Sequence, residues 1–172
     1  MGQRFIETAK MTVDRRAFIG LGSAAAISTL LLFGRSGSAA PAGSFPIRHT
    51  PAEWRRILGP QRYDVLREAA TEPAFSSPLL NEHRRGTFVC AGCANPLFSS
   101  ATKFESGTGW PSFWKVLPGE SVTRADHSLM MERTEVLCAH CGGHLGHLFD
   151  DGPKPTGLRY CMNGLALGFR PA

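Results

Sequence analysis

The sequence predicts a mainly β domain of antiparallel strands, entered through short N-terminal helices and preceded by a separate N-terminal segment. Three observations predict it. From Gly86 onward, short runs rich in Val, Phe, Thr and Leu alternate with Gly- and Pro-containing turns, the pattern of strands joined by tight connections. Two matched C-x-x-C pairs, Cys90/Cys93 and Cys138/Cys141, each stand beside such a run. Helical signals are confined to the stretch before residue 71.

The N-terminal segment, residues 1–42, reads as an export signal. Arg15 and Arg16 precede an apolar run rich in Ala, Gly and Leu from Ala17 to Phe33, and small residues follow to Ala42. The string D-R-R-A-F-I-G is similar to twin-arginine signals, and cleavage after Ala40-Pro41-Ala42 would leave a chain beginning at Gly43. The expectation is therefore a periplasmic or otherwise exported protein. The alternative is a permanent membrane anchor through residues 17–33. This segment also carries the excess charge. It holds five Lys/Arg and two Asp/Glu, leaving 14 and 12 in the remainder, so a chain of net +5 becomes a domain of net +2. So small an excess gives no argument for nucleic acid, and none is expected as a partner.

Residues 43–49 read as a linker and 50–172 as the domain proper. Thr50-Pro51-Ala52-Glu53 combines an N-cap, a Pro at the first helical position and the Glu of a capping box. A short helix is expected through Leu58, a stop at Gly59-Pro60, and a second helix over Gln61 to Ala70 with Tyr63 and Leu66 on its inner face. Glu72 to Arg85 reads as loop. Thr87-Phe88-Val89 leads into the first knuckle and Pro96-Leu97-Phe98 leaves it. Lys103-Phe104 and Ser112 to Trp114 flank a Gly-rich turn. Ser121 to Ala125 and Leu129 to Leu137 form a hairpin turning at Asp126 to Ser128. The second knuckle, His147 to Phe149, Leu158 to Met162 and Leu165 to Phe169 complete the domain.

The chain has five cysteines, and four of them fall in the two C-x-x-C pairs. Two pairs at knuckle spacing suit a closed, structural four-thiolate zinc site, Cys90, Cys93, Cys138 and Cys141; two disulfides are the alternative in an exported protein. The fifth, Cys161, is then a thiol with no structural partner. A thiol becomes a nucleophile where cationic or hydrogen-bonding neighbours favour its thiolate. Arg159 stands two residues before it, on the same face of an extended strand. His144 and His147, in H-L-G-H, lie one loop upstream and suit proton transfer beside the thiol better than metal binding, since no H-E-x-x-H pattern is present. His49, His83, His127 and His140 are given no functional role. Asp150-Asp151, before Gly152-Pro153, reads as turn chemistry. Trp110, after a Gly-Thr-Gly turn, and its neighbour Phe113 are candidates for the wall of an apolar, methyl-sized pocket.

The strings G-T-G-W-P-S-F, H-L-G-H-L-F-D-D-G-P and T-G-L-R-Y-C-M-N, with the two C-x-x-C pairs in the same order, resemble the B-type methionine sulfoxide reductases over roughly Pro51 to Phe169. The resemblance implies a fold of two antiparallel sheets with peripheral helices. It also implies reduction of the R epimer of methionine sulfoxide in peptides or proteins. Position by position, it implies that Cys161 attacks the sulfoxide sulfur and that His144, His147, Arg159 and Asn163 bind and protonate the sulfoxide oxygen and orient the thiolate. Trp110 would hold the substrate's methyl group, and the four knuckle cysteines would bind zinc.

One departure bears on the cycle. Many members carry a second, resolving cysteine where this chain has Thr108. A sulfenic acid on Cys161 would therefore be reduced by an external thiol, thioredoxin-like or glutathione-like. The expected molecule is a monomer. Two alternatives remain open at this stage: a zinc-knuckle interaction module in which Cys161 is dispensable, and a sulfoxide binder without turnover.

Overall fold

The computed structural model describes residues 45–128 and 131–172. The export segment, 1–42, and Leu129, the expected start of a hairpin strand, lie outside the described residues. Among the described residues no helix is long and apolar enough to cross a membrane. The part of the expected linker that is described lies on the second knuckle. Ile47 donates its N–H to His140 O at 2.9 Å and packs against the core.

One helical segment, α1 (Pro51–Glu68), opens the domain, and its start is written in the sequence. Thr50 Oγ1 accepts the Glu53 N–H at 3.3 Å while Glu53 Oε2 accepts the Thr50 N–H at 2.8 Å. The expected stop at Gly59-Pro60 is a kink instead, with Gly59 at φ 70° and helix resuming at once. The segment ends two residues earlier than expected, because Ala69 turns left-handed at φ 55°. Trp54, Leu58, Tyr63, Val65 and Leu66 are its buried residues.

Among the described residues nine strands follow: β1 (Gly86–Cys90), β2 (Pro96–Ser99), β3 (Lys103–Phe104), β4 (Ser112–Phe113), β5 (Ser121–Asp126), β6 (Arg133–Cys138), β7 (His144–Phe149), β8 (Arg159–Met162) and β9 (Leu167–Pro171). All pairings are antiparallel. They form a three-stranded sheet in the order β2-β1-β9 and a six-stranded sheet in the order β3-β4-β8-β7-β6-β5. The two-sheet, mainly β architecture is the one expected. The core draws Phe88, Leu97, Phe98 and Leu167 from the small sheet and Phe113, Val136, Leu145 and Met162 from the large one. The Phe98 and Phe113 rings stack at 4.3 Å, and Phe88 meets Phe113 edge-on at 4.9 Å.

The register of the large sheet positions the site. On β8, side chains alternate between faces, so Met162 points into the core while Arg159 and Cys161 share the opposite face. Cys161 lies directly across from Ser112 of β4 on one side and His147 of β7 on the other. β7 begins at His144, three residues before its expected start, and carries a bulge. Val136 faces Gly146 but Leu137 faces His144, so one strand has an extra residue. Residues three apart on a regular strand point to opposite faces. The bulge brings His144 and His147 to one side, with ring centroids 5.4 Å apart.

Gly146 makes this approach possible. Its φ is +154°, and a Cβ there would lie 2.1 Å from Cys161 O and 2.9 Å from Met162 Cα. Gly146→Ala is therefore expected to destabilise the fold by about 2 kcal/mol, a fall in Tm of roughly 6 °C, because backbone on both sides must shift. Thermal unfolding followed by circular dichroism checks this; an unchanged Tm would mean that the two strands do not meet as described.

Candidate active site

Cys161, half-buried on β8, opens into a cleft whose lining also includes Trp110, His147, Asn163, Arg133 and Phe149. Four side chains singled out from the sequence thus share one cleft: Cys161, His147, Asn163 and Trp110. His144 and Arg159 stand behind it as supports. Phe113 does not belong to it. The residue is wholly buried, packed between Phe98 and Phe88 on the core side of the sheet, because strand alternation turns it away from its neighbour Ser112. The expectation that Phe113 touches substrate is corrected accordingly.

Three of these side chains, His147, His144 and Arg159, are each held by a carboxylate. His147 donates Nε2–H to Asp126 Oδ2 at 2.8 Å, which leaves Nδ1 as the ring nitrogen not engaged by the acid. The Ser128 backbone N–H, then the His147 ring, hold the Asp126 carboxyl well below the usual carboxylate range. Arg133 adds an ion pair to the same oxygen at 2.8 Å. His144 donates Nδ1–H to Glu135 Oε1 at 2.7 Å, and Glu135 accepts from Arg124 Nε at 2.5 Å. Burial pushes the His144 ring toward its neutral form, with Glu135 opposing. Its Nε2 is buried without a hydrogen-bond partner among the described residues. Arg159 makes a bidentate pair with Asp151 at 2.7 Å for both contacts and lies 4.3 Å over the Phe149 ring. Asp151 raises the Arg159 pKa and is itself lowered by it.

A second set of contacts ties the loop before β1 to the strand of the thiol. Glu72 Oε1 and Oε2 accept the N–H groups of Gly164 and Leu165 at 2.5 and 2.9 Å, just past β8. Asn163 Oδ1 accepts the Glu72 N–H at 3.0 Å, and Trp110 Nε1–H donates to Glu72 O at 3.1 Å. The indole and the amide are therefore positioned by one buried residue. Beside the thiol, Thr108 Oγ1 lies 3.7 Å from Cys161 Sγ, and Ser106 Oγ bridges Thr108 and Ser112 at 2.9 and 2.7 Å.

The other four cysteines gather between the two knuckles. Cys90 and Cys141 sulfurs are 3.7 Å apart, Cys93 and Cys138 sulfurs 3.6 Å, and all four lie within 4.8 Å of one another. A tetrahedral four-thiolate site with bonds of about 2.3 Å has edges of roughly 3.8 Å. A disulfide needs about 2.05 Å, and each short contact here joins one knuckle to the other. The set fits a metal such as zinc and does not fit two disulfides. The turns that shape it use Ala94 at φ 61° and Gly142 at φ 67°, with the Ala94 and Gly142 N–H groups bonded to Cys90 O and Cys138 O at 2.8 and 2.9 Å.

Residues 58–171 match the SelR domain. The chain is 52% identical over 123 residues to the peptide methionine sulfoxide reductase MsrB of Thiobacillus denitrificans, covering 71% of this chain and 93% of that one. It is 58% identical over 120 residues to MsrB of Bradyrhizobium diazoefficiens, covering 69% and 86%. The chain belongs to the MsrB family. Three residues at this MsrB-family cleft escape a linear reading: Asp126, Glu135 and Glu72. Asp126 and Glu135 sit on strands, where nothing marks an acid as a partner, and Glu72 meets Asn163 and Gly164 from 91 and 92 residues away. Asp151, read as turn chemistry, is the anchor of Arg159.

The cysteine cluster yields a direct expectation. The folded protein should carry one tightly held metal ion per chain, and stripping it with a chelator should lower the Tm by well over 10 °C, given that apparent binding energies of structural zinc reach about 10 kcal/mol. Elemental analysis beside calorimetry checks this; a metal-free chain with an unaltered Tm would mean that the thiols hold the knuckles without an ion.

Proposed function

We propose that the chain reduces the R epimer of methionine sulfoxide in oxidised peptides and proteins, with Cys161 as nucleophile. The observation that carries this reading is the cross-strand pair of Cys161 and His147 in a cleft walled by Trp110, in a chain of the MsrB family. The Cys161 thiolate attacks the sulfoxide sulfur and its electron pair reduces that sulfur. The sulfoxide oxygen is protonated, and the oxygen ends on Cys161 as a sulfenic acid while methionine leaves. His147 holds one ring nitrogen on Asp126 and moves the proton through the other. His144, neutral and fixed by Glu135, offers its unpartnered Nε2 as an acceptor in the same relay. Asn163 and Arg159 orient the thiolate and the oxygen, and Trp110 packs on the methyl group.

The return half of the cycle uses an external thiol of thioredoxin or glutathione type. The hydroxyl of Thr108 stands 3.7 Å from the Cys161 sulfur where a resolving thiol would be needed, and the remaining four cysteines form the metal cluster. Two external thiols give a disulfide and water and restore Cys161. We assign zinc to that cluster in a structural role, since four thiolates leave no open position for substrate. The arginine pair and apolar run of residues 15–33 support export, and with it repair of oxidised proteins outside the cytoplasm.

Turnover of separated R and S epimers of a methionine sulfoxide peptide with dithiothreitol tests the reading. The R epimer is expected to react and the S epimer not to, Cys161→Ser to be inactive, and Asp126→Asn to lose roughly 10²-fold in kcat as its share of acid–base catalysis. No turnover by a folded, metal-loaded chain would favour a knuckle module that only binds. Activity surviving in Cys161→Ser would place the nucleophile elsewhere.

A further inference from the structure

We propose that the groove next to the cleft, whose apolar wall includes Phe75, is a subsite for an apolar side chain flanking the methionine sulfoxide of a polypeptide substrate. The inference rests on the reductase reading above. Phe75 is the third residue of a turn, Pro73–Ser76, closed by the Ser76 N–H on Pro73 O at 3.3 Å. It stands at φ +64°, a conformation that a turn ordinarily gives to Gly or Asn at this position, and the residue is 71% exposed. A lone exposed aromatic needs no explanation. One that is exposed and also held in a left-handed backbone carries two local costs that its own packing does not repay.

The turn is fixed to the site. The Phe75 N–H donates to Gly109 O at 2.7 Å, one residue before the cleft's Trp110. Gly109 is at φ +92°, and a Cβ on it would lie 2.8 Å from Ala74 Cβ and 3.0 Å from the Phe75 ring. Glu72, which holds Trp110 and the end of β8, immediately precedes the turn. Phe75 is thus positioned by the same contacts that position the catalytic cleft.

The groove is open to solvent and lined by Phe75, Leu80, Phe104, Trp110 and Pro111 together with polar groups such as Asn81. Lys103 does not bring charge into it, because its ammonium is buried against Leu80 O at 2.7 Å and pairs with Glu105 at the exposed rim. Trp110 lines both the groove and the cleft. A polypeptide whose sulfoxide reaches Cys161 must continue on either side of it. At about 3.4 Å per residue the next one or two side chains cross the width of one indole. An apolar side chain there would cover Phe75, and free methionine sulfoxide has nothing to place in it.

Matched acetylated peptide amides test the subsite. Each carries one methionine-R-sulfoxide, flanked by Gly throughout or by a single Leu at one of the two positions on either side. Values of kcat/KM are measured for the metal-loaded chain and for Phe75→Asn, a substitution that suits the left-handed turn and is not expected to lower the Tm. For at least one Leu position the unaltered chain should favour the Leu peptide roughly tenfold, mainly through KM, and Phe75→Asn should abolish that preference. Equal values for Leu and Gly peptides in the unaltered chain, or a preference that persists in Phe75→Asn, would overturn the subsite. Absence of turnover on every peptide would instead overturn the reductase reading, and the subsite with it.

Discussion

The site depends on one backbone contact, the close pairing of β7 with β8 at Gly146. The Cys161 carbonyl and the Met162 Cα occupy the space of a Gly146 side chain. With that contact, His147 falls directly opposite Cys161, and the neighbouring bulge brings His144 to the same side. A slip of one residue in this register would send the imidazole to the opposite face, away from the thiol. The chemistry therefore rests on a strand register. Two short strands cannot set a register alone, so the rest of the fold is arranged to hold it.

Three devices do so. The phenylalanine stack of Phe88, Phe98 and Phe113 packs the two sheets from behind, so the face carrying Cys161 can remain polar. The four-thiol cluster joins the β1–β2 knuckle to the β6–β7 knuckle, fixing the start of the strand that carries both histidines. Glu72 reaches across from the N-terminal loop to cap the end of β8 and to seat Trp110 and Asn163. On the cleft side, pairs that would be worth little on an open surface are set in fixed, hydrogen-bonded geometries. Asp126 orients one histidine, Glu135 the other, and Asp151 clamps Arg159.

Much of this was legible in the sequence wherever the signal was local. C-x-x-C spacing is a short-range rule, so all four cluster thiols could be named, and the odd cysteine with them. The Thr50–Glu53 capping box and the Gly59-Pro60 break are local as well, although the break proved to be a kink and Ala69 ended the helix early. Legibility failed where two distant segments decide the outcome. His144 and His147 could be paired by spacing, but their common side depends on a bulge in the pairing of β7 with β6. Phe113 was read with Trp110 because they are neighbours, yet one precedes β4 and the other lies within it facing inward. Glu72, Asp126 and Glu135 carry no motif. Their roles come only from partners on other elements.

In the proposed cycle, oxygen passes from the sulfoxide to Cys161 itself. Intact-mass and peptide mass spectrometry after a single turnover, with one equivalent of a methionine-R-sulfoxide peptide and no thiol present, tests it most directly. The account requires one oxygen atom on the protein, located at Cys161 and removed by dithiothreitol, in step with the methionine formed. Methionine formed with Cys161 unmodified, or with the oxidising equivalents found as a disulfide between cluster cysteines, would contradict it.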